Sequence, residues 1–452
     1  MSSLANTFRV FQDKRLLSVF LFGISSGFPF VMIGSVITAW LSDEGLSRAG
    51  IGLFGIIFNV YAVNFLWSPL LDRIRLPWLG LRRGWILAMQ LAIAGCCLLM
   101  AQLDVTNNLY FMALIGLLIA IFSATQDIAI DAYRIDIIAD HEKDQLSAAS
   151  SLATAGWWTG YGGLGAIPFI VADQPGTGWP DIYLLLGALM GVIALFTLMA
   201  KEPQVDRSAQ QKAAFARYQQ ATGHARTTGS AIIAWLGVTL IEPFREFFNR
   251  SGVRIAVSIL LFIFLFKLGE AFLGRMSVVF YKEIGFSNSD IGYYSKLLNW
   301  WVSIVFSIIG GMVNIRYGIY RGLMIAGFAM AASNLMFAWI AQVGPDTTLF
   351  AATIVVDGFT SAWSSVAMVA FISLMCNRAF SASQYALMAS LSVAGKNTLA
   401  SGSGWMVDMM GGNWSLFFII TAVMVLPGLL VLRHLKQDIA SAEKKVSDPQ
   451  IS

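Results

Sequence analysis

Ionisable side chains interrupt stretches of this sequence that are otherwise apolar. Asp127 and Asp131 are four residues apart, Lys267 and Glu270 are three apart, and Lys296, Asp357 and Lys396 stand singly. Inside a bilayer such a group costs about 2.5–3.5 kcal/mol on insertion scales, so it usually faces a pathway or a partner. Spacings of three and four share a helix face. Asp127 and Asp131 therefore point the same way, with Asp127 deeper by about 6 Å at about 1.5 Å per residue. Asp131 has Arg134 one turn on, which suits either a gating ion pair at the inner mouth or a structural cap. Lys267 and Glu270 either neutralise each other or carry charge, and Asp357 and Lys396, both near mid-depth, form a second potential pair. Desolvation disfavours the charged form of a carboxylate, which makes Asp127, Glu270 and Asp357 the candidates for proton carriage. Gln126, Asn299 and Lys296 add hydrogen-bonding capacity for a solute.

These residues need membrane-spanning helices to hold them. The 452 residues are 57% hydrophobic and only 12% charged, against about a quarter charged in soluble proteins. A span needs about 20 mostly apolar residues. Twelve such runs are expected, near 16–40, 50–71, 84–103, 109–133, 147–172, 181–200, 255–280, 290–315, 321–342, 347–376, 384–408 and 413–433. The first is too long for a signal h-region, and no small-residue cleavage site follows it. The expected fold is an all-α polytopic membrane protein.

Charge orients it. Almost all of the 30 Lys and Arg fall in one set of alternate loops, while the other set holds Arg48 and Lys282 only. Cations near span ends are retained in the cytoplasm, so both termini are expected there. The net charge of +4 then reflects topology and does not argue for nucleic acid.

The longest polar stretch divides six runs from six. Expected boundaries are a six-helix half at 1–200, a cytoplasmic linker at 201–253, a second half at 254–436 and a polar tail at 437–452. Within the linker, the apolar run ending at Pro243 is too short to span and is expected as an interfacial helix. The halves echo each other. Gln145…Ser151-Leu152…Ala155-Gly156…Gly163…Gly165 recurs without a gap as Gln384…Ser390-Leu391…Ala394-Gly395…Gly402…Gly404. The short loop with Leu71-Asp72-Arg73 and Arg82-Arg83-Gly84 is echoed by Asn314-Ile315-Arg316 and Arg321-Gly322. Asp72 and Arg73 join Asp131 and Arg134 as candidate gating residues. Parallel six-helix repeats about a large central loop are the layout of major facilitator transporters, whose halves rock about a central site.

Other motifs weigh against catalysis. The histidines are His141, His224 and His434, all in expected cytoplasmic segments, and no HExxH or GxxxxGK[ST] sequence exists. Cys96, Cys97 and Cys376 lack metal or disulfide spacing. No cofactor is expected, and a gradient rather than ATP has to drive transport. Gly23, Gly27 and Pro29 suit a kinked, closely packed first span. Trp157-Trp158, Tyr161 and Trp300-Trp301 lie within spans, where they either stack on a sugar ring or pack helices; Trp157 is the candidate substrate contact.

Several segments resemble a known family. Ser123-Ala-Thr-Gln-Asp127-Ile-Ala-Ile-Asp131-Ala-Tyr133 looks like the fourth-span signature shared by AmpG muropeptide permeases and the acetyl-CoA transporter family. The Phe22–Pro29 and Phe65–Arg73 segments resemble the first two spans of the same families. Pro243–Arg250, Lys267-Leu-Gly-Glu270, Asn377–Gln384 and Ala394-Gly-Lys396 are similar to AmpG segments in the same order, so the resemblance runs from about residue 10 to 435. Asn397-Thr-Leu-Ala-Ser departs from the more Gly-rich continuation usual there.

This resemblance implies a monomeric, proton-driven permease of the bacterial inner membrane, not an enzyme. Its cargo would be N-acetylglucosaminyl-1,6-anhydro-N-acetylmuramic acid and its peptides, feeding cell-wall recycling and, with the matching regulator, β-lactamase induction. Lys267, Lys396 and Lys296 would meet substrate carboxylates. The competing expectation is an importer of another large polar solute, such as a siderophore or CoA derivative.

Overall fold

A computed structural model describes residues 9–44, 54–76, 79–103, 105–138, 142–172, 174–204, 241–286, 290–400 and 402–447. Among these residues the regular secondary structure is helical, apart from an isolated β-bridge between Leu76 and Gly80. Nine helices among the described residues are long and apolar enough to cross a bilayer. They include α1 (Lys14–Leu41), α3 (Arg82–Met100), α7 (Trp179–Met199), α9 (Val253–Ile284), α10 (Tyr293–Tyr317), α11 (Ile319–Val343), α12 (Thr347–Met375) and α15 (Trp414–His434). The remaining one lies within α4 (Val105–Ile137), whose first turn is offset by non-helical torsions at Asn108.

Three expected spans fall outside that set, each for a local reason. Residues 55–73 alternate 3₁₀ turns (Gly55–Asn59, Asn64–Leu66) with short α-helices, Val60–Val63 and then α2 (Ser68–Arg73). The stretch 143–172 runs as α5 (Lys143–Trp158), a π-helical turn Thr159–Leu164, and α6 (Gly165–Ala172), which contains Pro168. The third comprises α13 (Ser381–Ala400), rich in Ser and Ala, and α14 (Ser403–Met409). Helices at the seam between halves present protein or cavity to their neighbours, so they carry more polar residues than lipid-facing ones.

The run ending at Pro243 lies largely at residues 231–240, outside the described residues. What the structure adds is α8 (Glu242–Ser251), in which Pro243 opens a helix rather than closing one. Its missing N–H costs nothing in the first turn, and Gly252, at φ +75°, ends the helix.

Close approach holds the bundle together. A Cβ on Gly27 of α1 would lie 2.1 Å from the Trp157 carbonyl oxygen of α5, so only glycine permits that crossing. Between halves, a Cβ on Gly311 of α10 would lie 1.6 Å from Ser151 Oγ. Each half keeps its own apolar core, for example Phe28, Trp40 and Tyr183 in the first and Phe280, Phe337 and Phe418 in the second.

Candidate functional site

A cavity of about 400 Å³ lies where the halves meet. Its walls come from α1 (Phe30), the interrupted segment (Phe58, Tyr61, Asn64), α4 (Asp127, Asp131) and α13 (Tyr385, Ser390). The α4 helix puts both aspartates on this wall because they are one turn apart. Among the described residues the buried Oδ1 of Asp127 has no hydrogen-bond partner. Tyr61 donates to Ser123 at 2.8 Å, and Ser390 donates to Asn64 Oδ1 at 2.7 Å across the seam.

A second cavity of about 420 Å³ shares Phe30 and Phe58 with the first and adds Ser35, Thr38, Trp157 and Tyr161. Its aromatic groups form one continuous wall. Trp157 stacks on Tyr161 with centroids 5.1 Å apart at 19°, Phe30 meets Trp157 edge-on at 5.5 Å, and Phe30 lies 4.6 Å from Tyr61.

Gln126 lies outside both cavity walls. It is fully buried and donates to Ser25 O at 2.7 Å, tying α4 to α1. Lys267 occupies a break in α9, where its φ of −102° separates Val253–Phe266 from Leu268–Ile284. Its ammonium meets Glu270 at 2.8 Å, Ser365 Oγ at 2.7 Å and Ser361 O at 3.3 Å, which uses its three donors. Glu270 also accepts from Ser361 Oγ at 2.8 Å. This pair lines neither cavity, and Lys267 is therefore committed to protein partners in this conformation. Asp357 accepts from Ser333 at 3.1 Å. Asn299 faces Gly358 of α12 and its Oδ1 is buried without a partner. The side chains of Lys296 and Lys396 lie outside the described residues, and so does any pairing of Asp357 with Lys396.

Beside the cavity, about one turn beyond Asp131 and Tyr385, a polar clasp joins the halves. Arg82 is 1% exposed and bonds Asp72 and Asp136, each at 2.7 Å, with both carboxylates also buried. Asp72 then accepts from the first turn of α13: Ala382 N at 3.2 Å, Ser383 N at 2.9 Å and Ser383 Oγ at 2.6 Å. Ser381 Oγ donates to Asp136 at 2.9 Å. Free N–H groups and the positive end of the helix dipole favour carboxylates at that position. Nearby, Arg134 pairs with Asp131 at 2.9 Å, donates to Ser373 of α12 at 2.6 Å and lies over the Tyr385 ring at 5.1 Å. Of the expected gating residues, Asp72, Asp131 and Arg134 take part in these contacts; Arg73 lies outside the clasp and makes no ion pair among the described residues.

Sequence reasoning missed Arg82, Asp136, Ser381, Ser383 and Tyr385. Arg82 stood in the loop that already attracted notice, and Ser-Ala-Ser at 381–383 is a helix-start signal. Neither signal says that a carboxylate 310 residues away in sequence is its partner.

A cavity between two helical halves, with contacts that cross the seam beside it, is the layout of a membrane transporter built from two repeats. The Major Facilitator Superfamily profile matches residues 19–298. The fold agrees: the major facilitator transporter FucP, solved in the outward conformation, superimposes with a TM-score of 0.67 at 12% identity, covering 93% of this chain and 99% of that one. Two relatives are similar along almost the whole length. AmpG transporter 4 of Rickettsia conorii is 31% identical over 430 residues, 94% of this chain and 98% of that protein. The anhydromuropeptide permease of Escherichia coli K12 is 30% identical over 432 residues, 95% of this chain and 81% of that protein. The chain belongs to the AmpG family of the major facilitator superfamily.

Proposed function

We propose that this chain is a proton-driven permease that imports peptidoglycan turnover products, the anhydro-disaccharide N-acetylglucosaminyl-1,6-anhydro-N-acetylmuramic acid and its peptides, across the bacterial inner membrane. It does so as a monomer with twelve spans and both termini in the cytoplasm, and it performs no covalent chemistry on its cargo. In a host with the matching regulator, the same import feeds β-lactamase induction.

The observation that carries this reading is Asp127 in the inter-half cavity, with an unpartnered oxygen beside an aromatic wall. Aromatic faces suit the flat apolar side of a sugar ring, while Asp127, Tyr61 and Asn64 supply polar groups for its hydroxyl and amide edges. Together the two adjoining cavities suit an elongated solute better than a monosaccharide. Proton binding at Asp127 removes a charge that would otherwise repel an acidic cargo, which couples the two ligands. The name of the E. coli relative and the basic loops that orient the chain agree with this direction and cargo. The clasp of Asp72, Arg82 and Asp136 with α13 serves as the cytoplasmic gate, opened when the halves rock.

The test is uptake of radiolabelled anhydro-disaccharide and anhydro-muropeptide into right-side-out vesicles, with and without a protonophore. Wild type should accumulate both, and the protonophore should abolish accumulation. Asp127→Asn or Glu270→Gln should leave only equilibrative exchange. Displacement of label by a CoA derivative or a siderophore, but not by unlabelled muropeptide, would sink the cargo assignment and leave the transporter class in place.

A further inference from the structure

A pocket of about 730 Å³ opens at the end of the bundle where α9 begins and α15 ends. Arg254 comes from the first turn of α9, Arg433 and His434 from the last turn of α15, and Lys436 from the first turn of α16 (Lys436–Ser447). All four are exposed, and Asp438 is the lone carboxylate on the pocket wall. Lys436 is held in place partly by the Tyr320 ring, 5.9 Å from its ammonium. Three permanent cations thus converge on one concave site against a single anion, and among the described residues none of the three is in an ion pair.

Apolar surface continues directly from this pocket. On α9, Val253, Val257 and Leu261 repeat at helical spacing and are 66%, 50% and 45% exposed. On the packed neighbour α15, Leu426 and Leu430 are 42% and 68% exposed. The site therefore couples a cationic bowl at a helix-end level to an apolar groove along two membrane helices. A soluble anion satisfies only the first feature. A molecule with a phosphodiester headgroup and acyl chains satisfies both, since basic pockets between spans bind anionic headgroups and chains lie along exposed helix faces.

We infer that this pocket is a specific site for an anionic phospholipid, with the headgroup phosphate held by Arg254, Arg433 and Lys436 and an acyl chain lying along Val257 and Leu430. The site is separate from the transport cavity and does not depend on the identity of the cargo. It lies where the first helix of the second half meets the last, so an occupied pocket ties α9, α15 and α16 together.

The experiment uses full-length protein in nanodiscs of phosphatidylcholine with 10% phosphatidylglycerol or cardiolipin, a composition of about one-tenth anionic lipid. Native mass spectrometry after detergent release reads retained lipid. Wild type should retain anionic lipid over phosphatidylcholine. Arg254→Gln/Arg433→Gln should lose about 30-fold in retention, at about fivefold per cation. Arg9→Gln/Arg245→Gln removes equal charge from exposed positions outside the pocket and should change retention less than twofold, roughly the noise expected of screened surface charge. Equal loss in both double variants would reduce the effect to general electrostatics and overturn the site. Equal retention by wild type and the pocket variant would overturn it too. Displacement of the lipid by inorganic phosphate alone would reassign the pocket to a soluble anion.

Discussion

Asp72→Asn should unfasten the two halves. In the structure the Asp72 carboxylate serves Arg82 from its own half and three donors from the first turn of α13. Asparagine keeps one acceptor oxygen but turns an NH₂ toward N–H groups or toward the Arg82 guanidinium. Arg82, 1% exposed, would then depend on Asp136, Ser381 and the Leu71 carbonyl. The Asp72–Arg82 pair lies within one half and is lost from both arrangements, whereas the hydrogen bonds from α13 to the carboxylate exist only when the halves meet, and hydrogen bonds to a charged group contribute about 1.5–3 kcal/mol. Here the loss falls on the closed arrangement, because the α13 donors reach water once the halves part. At about 1.4 kcal/mol per factor of ten, the ratio of closed to open forms should fall by about 10- to 150-fold. Cys376 reports the change directly. It caps α12, is 9% exposed, and lies within electrostatic reach of Asp72 and Arg134. Maleimide labelling, located by peptide mass spectrometry, should be at least about tenfold faster at Cys376 in the variant, equivalent to about 1.4 kcal/mol. Cys97, in the core of the first half and fully buried, serves as the internal reference and should stay slow. A Cys376 rate unchanged beside an unchanged Cys97 rate would refute the assignment of Asp72 to the clasp.

Three further outcomes follow from the same geometry. Trp157→Ala should raise the KM for the anhydro-disaccharide about 2- to 10-fold, the equivalent of about 0.5–1.5 kcal/mol of aromatic stacking, while Trp157→Phe should stay near wild type; an unchanged KM in both would make the wall a packing feature. Lys267→Met should destabilise the protein by about 3 kcal/mol in a thermal-shift assay, the lower end for a buried pair because Glu270 is 25% exposed. The neutral double variant Lys267→Met/Glu270→Gln should recover most of that, and no recovery would mean the two are not a pair. At the start of α1, a hydrogen bond from Arg15 holds the Asp13 carboxyl below its usual range. Its stabilising effect is whole above about pH 4 and is lost as pH falls through the lowered value; Asp13→Ala should cost about 1 kcal/mol as a lost N-cap and flatten the acid limb of a Tm-against-pH curve.

Helicity, membrane residence and family were already legible in the chain, because each depends on short-range pattern. Apolar runs of span length announce themselves without knowledge of their neighbours, and Asp127 and Asp131 had to share a face once they stood on a helix. The motifs around them also led to the AmpG family, which whole-length relatives support. Orientation of Gln126 was not legible: a residue beside Asp127 turns about 100° away from it and binds Ser25 instead. Nor was the polar character of residues 143–172 and 381–400 easy to weigh, since hydropathy does not say whether a helix faces lipid or the other half. The clasp is the clearest case. Arg82, Asp136, Asp72 and Ser383 come from four segments and two halves, and they meet only because α13 starts where α2 and α4 end. Local sequence fixes which side chains are costly to bury, whereas the partner that repays the cost is chosen by how helices far apart in the chain pack.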